Sequence, residues 1–217
     1  MNFELARNNM VAQQLRTWDV LDEQTLEGFA QLPREHFMPA AWRRLAYSDT
    51  EIPIGCGQYT MAPKTEARML QALAPRPGDH ALEIGTGCGF VTALLGRSCR
   101  SVLSVEIEAE LHQAARQRLA GAWGRNVRLH LGDGIDGWPS EGPYQVIAVT
   151  GSVGEVPESL LAQLAPGGRL FIVVGREPVM EARLITRIDD ADFASEALFE
   201  TLLAPLKGAE PRARFQL

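Results

Sequence analysis

The sequence predicts an α/β fold: a doubly wound, mostly parallel sheet with an N-terminal helical extension. Three observations carry the prediction. From residue 80 onward, short apolar runs alternate with helical patterns, which implies a parallel sheet covered by helices on both faces. The first run, Ala81-Leu82-Glu83-Ile84, breaks into Gly85-Thr86-Gly87-Cys88-Gly89, three glycines at alternate positions ahead of a helical stretch. The first 62 residues read instead as helices and irregular chain. The expected division is therefore an extension over residues 1–62 on the substrate side and a ligand-binding Rossmann-like domain over 63–217, packed as one unit.

Taken in order, residues 4–17 carry Leu5, Met10, Val11 and Leu15 at roughly helical spacing. Residues 22–31 form a second helix, with Asp22 at its start and Leu26, Phe29 and Ala30 on one face. Pro33 and Pro39 bracket a turn-rich piece, and residues 40–62 read as irregular. Pro63 opens a helix over 64–73, since proline suits a first helical turn. Strands then fall at 81–84, 101–105, 127–131, 144–150 and 169–174. Helices separate them at 90–96, 108–120 and 157–164, and Pro166-Gly167-Gly168 reads as a tight turn. Weaker apolar alternation marks two edge strands around 185–188 and 197–203.

Composition narrows the function. The chain has 217 residues, 46% of them hydrophobic, enough for one domain with a full core. A net charge of −6 argues against a nucleic-acid binder, which usually carries a basic patch. Three cysteines without a CxxC pair fit a reducing compartment and no disulfide framework. The four histidines are scattered, with no metal-ligand spacing, and are expected on the surface or in turns. The N-terminus lacks a signal-peptide pattern, and no apolar run approaches the ~18 residues of a membrane span. A cytoplasmic protein is expected, with no nucleic-acid or membrane partner and a monomer favoured.

Three features fall at successive strand ends, where ligands of doubly wound sheets bind. A glycine loop lets backbone approach a ligand, and the helix behind it aims free N–H groups the same way. Glu106 ends the second strand, about 20 residues past the loop, and a carboxylate there accepts hydrogen bonds from ribose hydroxyls. Asp133, between Gly132 and Gly134, is placed to accept from an adenine amino group. Each piece alone also reads as an ordinary turn or a solvated helix start. Their order together points to a nucleotide-like cofactor. The spacing is G-x-G-x-G, one residue shorter than the dinucleotide fingerprint.

With Glu83 two residues before the first glycine, the loop resembles the first motif of S-adenosylmethionine-dependent methyltransferases. On that resemblance the fold is the class I methyltransferase fold. The ligand is S-adenosyl-L-methionine, and the helix N-terminus faces its carboxylate. The expected cofactor residues are Glu83, Gly85, Thr86, Gly87, Gly89, Glu106, Asp133, Gly134 and Thr150. A broader resemblance runs through Leu32-Pro33-Arg34-Glu35-His36-Phe37, Ala46-Tyr47-Ser48-Asp49 and Ile52-Pro53-Ile54-Gly55-Cys56-Gly57-Gln58. It continues through Leu82 to Gly87, Gly132-Asp133-Gly134 with Gly137-Trp138, Val149-Thr150, Gln163-Leu164, Gly167-Gly168, Val174-Gly175 and Ala204-Pro205-Leu206. These blocks resemble the protein-L-isoaspartate O-methyltransferases across nearly the whole chain. The resemblance implies methylation of the α-carboxyl of isoaspartyl residues in damaged proteins, followed by collapse of the ester to a succinimide. It also implies a substrate wall of Ile54, Gln58 and Tyr59.

The chain departs from that family at the acceptor end. The family segment Thr-Ile-Ser-x-Pro, whose serine lies close to the reacting groups, is Tyr59-Thr60-Met61-Ala62-Pro63 here. Met61 holds the serine position and donates no hydrogen bond. Thr60 and Met61 are thus the expected residues beside the reacting atoms. Leu202 holds a position where family members often carry a substrate-pairing arginine, and Gly151-Ser152 replaces small alanines. Three readings follow: an isoaspartyl methyltransferase, a methyltransferase of the same fold with another acceptor (a small molecule or a specific protein carboxylate), and a non-catalytic binder of the cofactor.

Overall fold

The computed structural model describes residues 2–209. Helix α1 (Phe3–Asn9) is capped by Asn2, whose side chain accepts the Leu5 N–H at 3.1 Å. The single helix expected over 4–17 does not continue. A π-helical turn, Met10–Leu15, and a 3-10 turn, Arg16–Trp18, follow α1. The cause lies in Met10 and Leu15, both fully buried five residues apart. Only a widened i→i+5 turn brings such a pair to one face.

Helix α2 (Glu23–Gln31) begins as expected, with the Asp22 carboxylate accepting the Thr25 N–H at 2.7 Å. A short α3 (Arg34–Phe37) and a 3-10 turn, Ala40–Leu45, lead into a hairpin of β1 (Pro53–Gly55) and β2 (Gln58–Tyr59). This hairpin replaces part of the irregular segment expected over 40–62. Its strands are too short to show alternation. Helix α4 (Pro63–Leu73) starts on Pro63, as the sequence implies.

The alternating half matches the expected order. Strand β3 (His80–Ile84) leads through the glycine loop to α5 (Phe90–Ser98), and β4 (Ser101–Glu106) leads to α6 (Ala109–Arg118). Then come β5 (Val127–Leu131), β6 (Tyr144–Val153), a five-residue α7 (Glu158–Ala162) and β7 (Leu164–Arg176). The Pro-Gly-Gly turn is absorbed into β7 as a bulge. Tyr144 pairs with Leu164, but Val146 pairs with Arg169. Strands β8 (Val179–Arg187) and β9 (Phe193–Glu200) are longer than the two edge strands expected, and β8 is interior. His36 is exposed, while His80, His112 and His130 lie within β3, α6 and β5 and are partly exposed rather than in turns.

The seven-stranded sheet runs β5-β4-β3-β6-β7-β8-β9. Its first five strands pair in parallel and β8 and β9 in antiparallel fashion. The winding reverses between β3 and β6, so a switch point opens at their carboxyl ends. One face packs on the N-terminal helices, where the Phe29 and Phe37 rings each meet Phe90 at 5.6 Å. The other face buries Leu82, Leu103, Ile147, Leu170 and Ile172. Among the described residues no helix is long and apolar enough to cross a membrane.

Candidate functional site

A cleft with about 750 Å³ of space opens at the carboxyl ends of β3, β4, β5 and β6. Its walls include Gly85, Gly87, Glu106, Asp133, Gly134 and Thr150 from the strand ends. The hairpin adds Ile54, Gln58 and Tyr59, and Thr60 follows them. The segment after β9 supplies Leu203 to Lys207. A smaller recess of about 320 Å³ continues behind the glycine loop, lined among others by Thr60, Met61, Glu66, Glu83, Thr86 and Cys88.

The loop is held by its neighbours. Gly85 has φ +91°, and a Cβ there would stand 2.3 Å from Thr150 Oγ1, so only glycine fits. The Thr150 hydroxyl donates to the carbonyls of Gly85 (2.6 Å) and Ile84 (2.9 Å). Glu106, 4% exposed, accepts the N–H of Gly87 at 2.7 Å on one oxygen and that of Glu108 at 2.9 Å on the other. This carboxylate is therefore pinned at the end of β4 with its remaining lone pairs on the cleft. Asp133 Oδ1 accepts the Ile135 N–H at 3.0 Å and stands exposed at the rim.

Glu83 is wholly buried. One of its oxygens accepts from Thr92 (2.5 Å) and Ser104 (2.6 Å), and Ser104 is itself joined to Thr86 at 2.6 Å. The other oxygen, Oε1, has no protein partner. Burial pushes its carboxyl up to about 8, opposed by the two hydroxyl donors. Burial likewise lifts the Cys88 thiol to about 11, so it carries no thiolate at neutral pH. Among the described residues no group of three or more His, Cys, Asp or Glu residues is arranged to hold a metal ion.

At the far end of the cleft, Arg34 organises the chain. It is fully buried and holds Glu66 through Nε at 3.1 Å and Nη2 at 2.9 Å. It also donates to the carbonyls of Ala46 (2.9 Å) and Met61 (3.0 Å) and to Thr60 Oγ1 (3.3 Å). The pair thereby ties α3, α4 and the Thr60–Met61 segment together. Sequence reasoning missed it, because the partners are 32 positions apart with no local signal.

Two segments line the cleft as straps, one touching α6 and the other the residue before it. In the hairpin, Gly55 lies over Leu111 and Cys56 Sγ donates to Glu110 at 3.7 Å. In the segment after β9, Lys207 pairs with Glu108. That segment is moored on Ser152. The Ser152 hydroxyl donates to Leu203 O at 2.7 Å, its N–H to Ala204 O at 2.9 Å, and its carbonyl accepts the Leu206 N–H at 2.9 Å. A Cβ on Gly151 would come within 2.7 Å of the Leu206 side chain and 3.1 Å of its backbone nitrogen. Gly151-Ser152 therefore suits this crossing.

Two expected residues stand apart from the cleft. Leu202 is 55% exposed and lines neither cavity, while its neighbour Leu203 does. Gly89 packs against Leu119 and Ala115 and also lines neither cavity. The other expected residues gather around the cleft and its recess. The walls missed by sequence reasoning include Ile107, Leu111, Ile135 and Leu203 to Lys207, mostly apolar side chains that only the fold brings together.

The family model for protein-L-isoaspartate(D-aspartate) O-methyltransferase matches residues 6–211. A relative from Pelobacter propionicus, protein-L-isoaspartate O-methyltransferase 2, is 40% identical over 96% of this chain and 93% of its own length. A protein-L-isoaspartate O-methyltransferase from Methylorubrum extorquens is 45% identical over 78% of this chain and 74% of its own. A solved protein-L-isoaspartate O-methyltransferase superposes with a TM-score of 0.77 at 26% identity, covering 92% of this chain and 65% of that one. A Plasmodium falciparum structure assigned to the same family, in complex with S-adenosyl-L-homocysteine, superposes with a TM-score of 0.79 at 20% identity and shares the fold over 95% of this chain and 98% of its own. The family blocks read along the sequence and the fold they imply thus agree with independent matches over nearly the full length, and the chain belongs to the protein-L-isoaspartate O-methyltransferase family.

Proposed function

We propose that the chain transfers a methyl group from S-adenosyl-L-methionine to the carboxylate of isoaspartyl residues in damaged proteins, with the donor in the strand-end cleft and the acceptor entering beside Tyr59. The observation that carries this reading is the convergence of the glycine loop, Glu106 and Asp133 on one cleft whose far end meets Thr60 and Met61. The residues present fit the donor. Glu106 offers a pinned, buried carboxylate to two ribose hydroxyls. Asp133 offers an acceptor to an adenine amino group at the rim. The unpartnered Glu83 Oε1, in the wall of the recess, suits the donor's ammonium, whose positive charge would oppose the burial that keeps this carboxyl protonated without it.

The bound donor supplies a methyl on a sulfonium, which is an activated leaving group. The acceptor carboxylate is already ionised at pH 7, so no strong base is required. What the chain contributes is alignment and exclusion of water. Ile54, Leu203 and Leu206 form apolar walls over the cleft. Met61, 4% exposed, packs into the recess without offering a donor. That apolar contact also favours a second reading, in which a small molecule of less polar character is an additional acceptor. The three free cysteines suit a reducing cytoplasm.

The test supplies an isoaspartyl peptide and labelled donor and looks for a base-labile methyl ester. Calorimetry with S-adenosyl-L-homocysteine checks the donor site separately. Ester formation is expected with the isoaspartyl peptide and not with its aspartyl counterpart. Binding without ester formation would reject the isoaspartyl acceptor and leave the donor site standing.

A further inference from the structure

We propose that Thr60 receives the acceptor carboxylate through its hydroxyl proton, with Arg34 behind it fixing the direction of that donation. The inference deepens the isoaspartyl reading above and rests on it. It comes from the donors and acceptors of the buried hydroxyls where the cleft meets the recess. Thr60 lines both cavities and is 6% exposed. Its backbone N–H goes to Ile52 O at 2.8 Å. Its hydroxyl oxygen accepts from Ile52 N at 3.1 Å and shares a proton of Arg34 Nη2 at 3.3 Å, the longest contact of a group whose two protons also reach Glu66 Oε1 and Met61 O. A hydroxyl has two lone pairs and one proton. With both lone pairs engaged, Thr60 Oγ1 is left as a donor, and among the described residues no acceptor holds its proton.

The other buried hydroxyls at this junction are committed. Thr150 donates to the carbonyls of Gly85 and Ile84, and Thr86 is joined to Ser104, which donates to Glu83. Met61 has no proton to give. A carboxylate arriving here therefore meets one buried hydroxyl with its proton available. Arg34 makes that donor stronger without exposing its charge. The guanidinium is neutralised by Glu66 and fully buried, yet its N–H polarises the Thr60 oxygen, so the O–H donates more strongly.

The experiment measures steady-state methylation of an isoaspartyl peptide together with calorimetry of S-adenosyl-L-homocysteine for Thr60→Val, Thr60→Ala and Thr60→Ser. Losing one hydrogen bond to a charged group lowers kcat/KM by about tenfold to a hundredfold in the Val and Ala variants. Their S-adenosyl-L-homocysteine affinity should stay within about twofold of wild type, and Ser should restore most of the rate. Wild-type kcat/KM in Thr60→Val or Thr60→Ala would overturn the proposal while the isoaspartyl reading stands. So would failure of Ser to rescue while it binds the product normally, or loss of product binding in both Val and Ala, which marks a purely structural role. A wild type that binds the product but leaves the peptide unmethylated rejects the isoaspartyl reading itself and this proposal with it.

Discussion

Glu106→Gln is the most direct probe of the donor site, because it changes one atom in a carboxylate whose partners are known. One oxygen accepts the Gly87 N–H at 2.7 Å and the other the Glu108 N–H at 2.9 Å. Glutamine offers one acceptor oxygen and an NH2 group, so one of these N–H groups must face another donor. At 4% exposure water does not repair the loss. An unsatisfied buried donor costs about 1–3 kcal/mol, and at ~2–4 °C per kcal/mol for a chain of this size the melting temperature should fall by several degrees. Binding suffers separately. If the carboxylate holds both ribose hydroxyls, the amide keeps one bond and forfeits a charge-assisted one, about 1.5–3 kcal/mol or a tenfold to hundredfold rise in Kd. Calorimetry with S-adenosyl-L-homocysteine and with adenosine reads this out. Both ligands carry the ribose, so both should weaken by a similar factor. An unchanged Kd, or a loss confined to S-adenosyl-L-homocysteine, would refute the assignment of Glu106 to the ribose.

The other predictions are briefer. Gly151→Ala drives a Cβ to within 2.7 Å of Leu206, so overpacking of about 1–3 kcal/mol should displace the strap and weaken S-adenosyl-L-homocysteine binding; unchanged affinity and melting temperature would show that the strap does not cross there. Glu83, raised to about 8 from its ordinary 4.5, keeps its proton in the folded protein over a range where the unfolded chain releases it. Stability should therefore fall as pH rises from about 4.5 to about 8, by up to ~1.4 kcal/mol per unit, and level off above. Glu83→Gln should flatten that slope, and parallel melting curves of the two proteins from pH 5 to 8 would contradict the burial argument. Arg34→Met leaves the Glu66 carboxylate buried and unpaired, and denaturant unfolding should show a loss of about 3–5 kcal/mol, against under 1 kcal/mol if the pair is dispensable.

The legible parts of the fold were those that repeat a pattern over enough residues. β3, β4 and β6 are near-continuous apolar runs because both faces of a parallel strand are buried, and each ends in a punctuating Gly, Glu or Thr on the cleft. The hairpin at Pro53 to Tyr59 escaped notice because strands of two or three residues have no period, and its tip turns on positive φ at Gly55, Cys56 and Gly57. The turn at Met10–Leu15 hid for a related reason: its spacing is helical until the fifth residue. Glu106 and Asp133 were legible because backbone order alone brings strand ends together. Arg34 with Glu66 and Ser152 with Leu203 were not, since each pair joins elements whose proximity depends on how helices and tail pack across the sheet. Leu202 was misplaced by one residue, which in an extended chain turns a side chain to the opposite side.

The two straps have a kinetic consequence. They approach from opposite ends of the chain, yet both rest on one support, the start and first turns of α6, through Cys56 with Glu110 and Lys207 with Glu108. A displacement of that helix start loosens both at once, whereas moving either strap alone leaves the other across the opening. If ligand has to pass beneath both straps, stopped-flow traces of S-adenosyl-L-homocysteine uptake should follow a single exponential, and two resolved phases would show that the straps open independently.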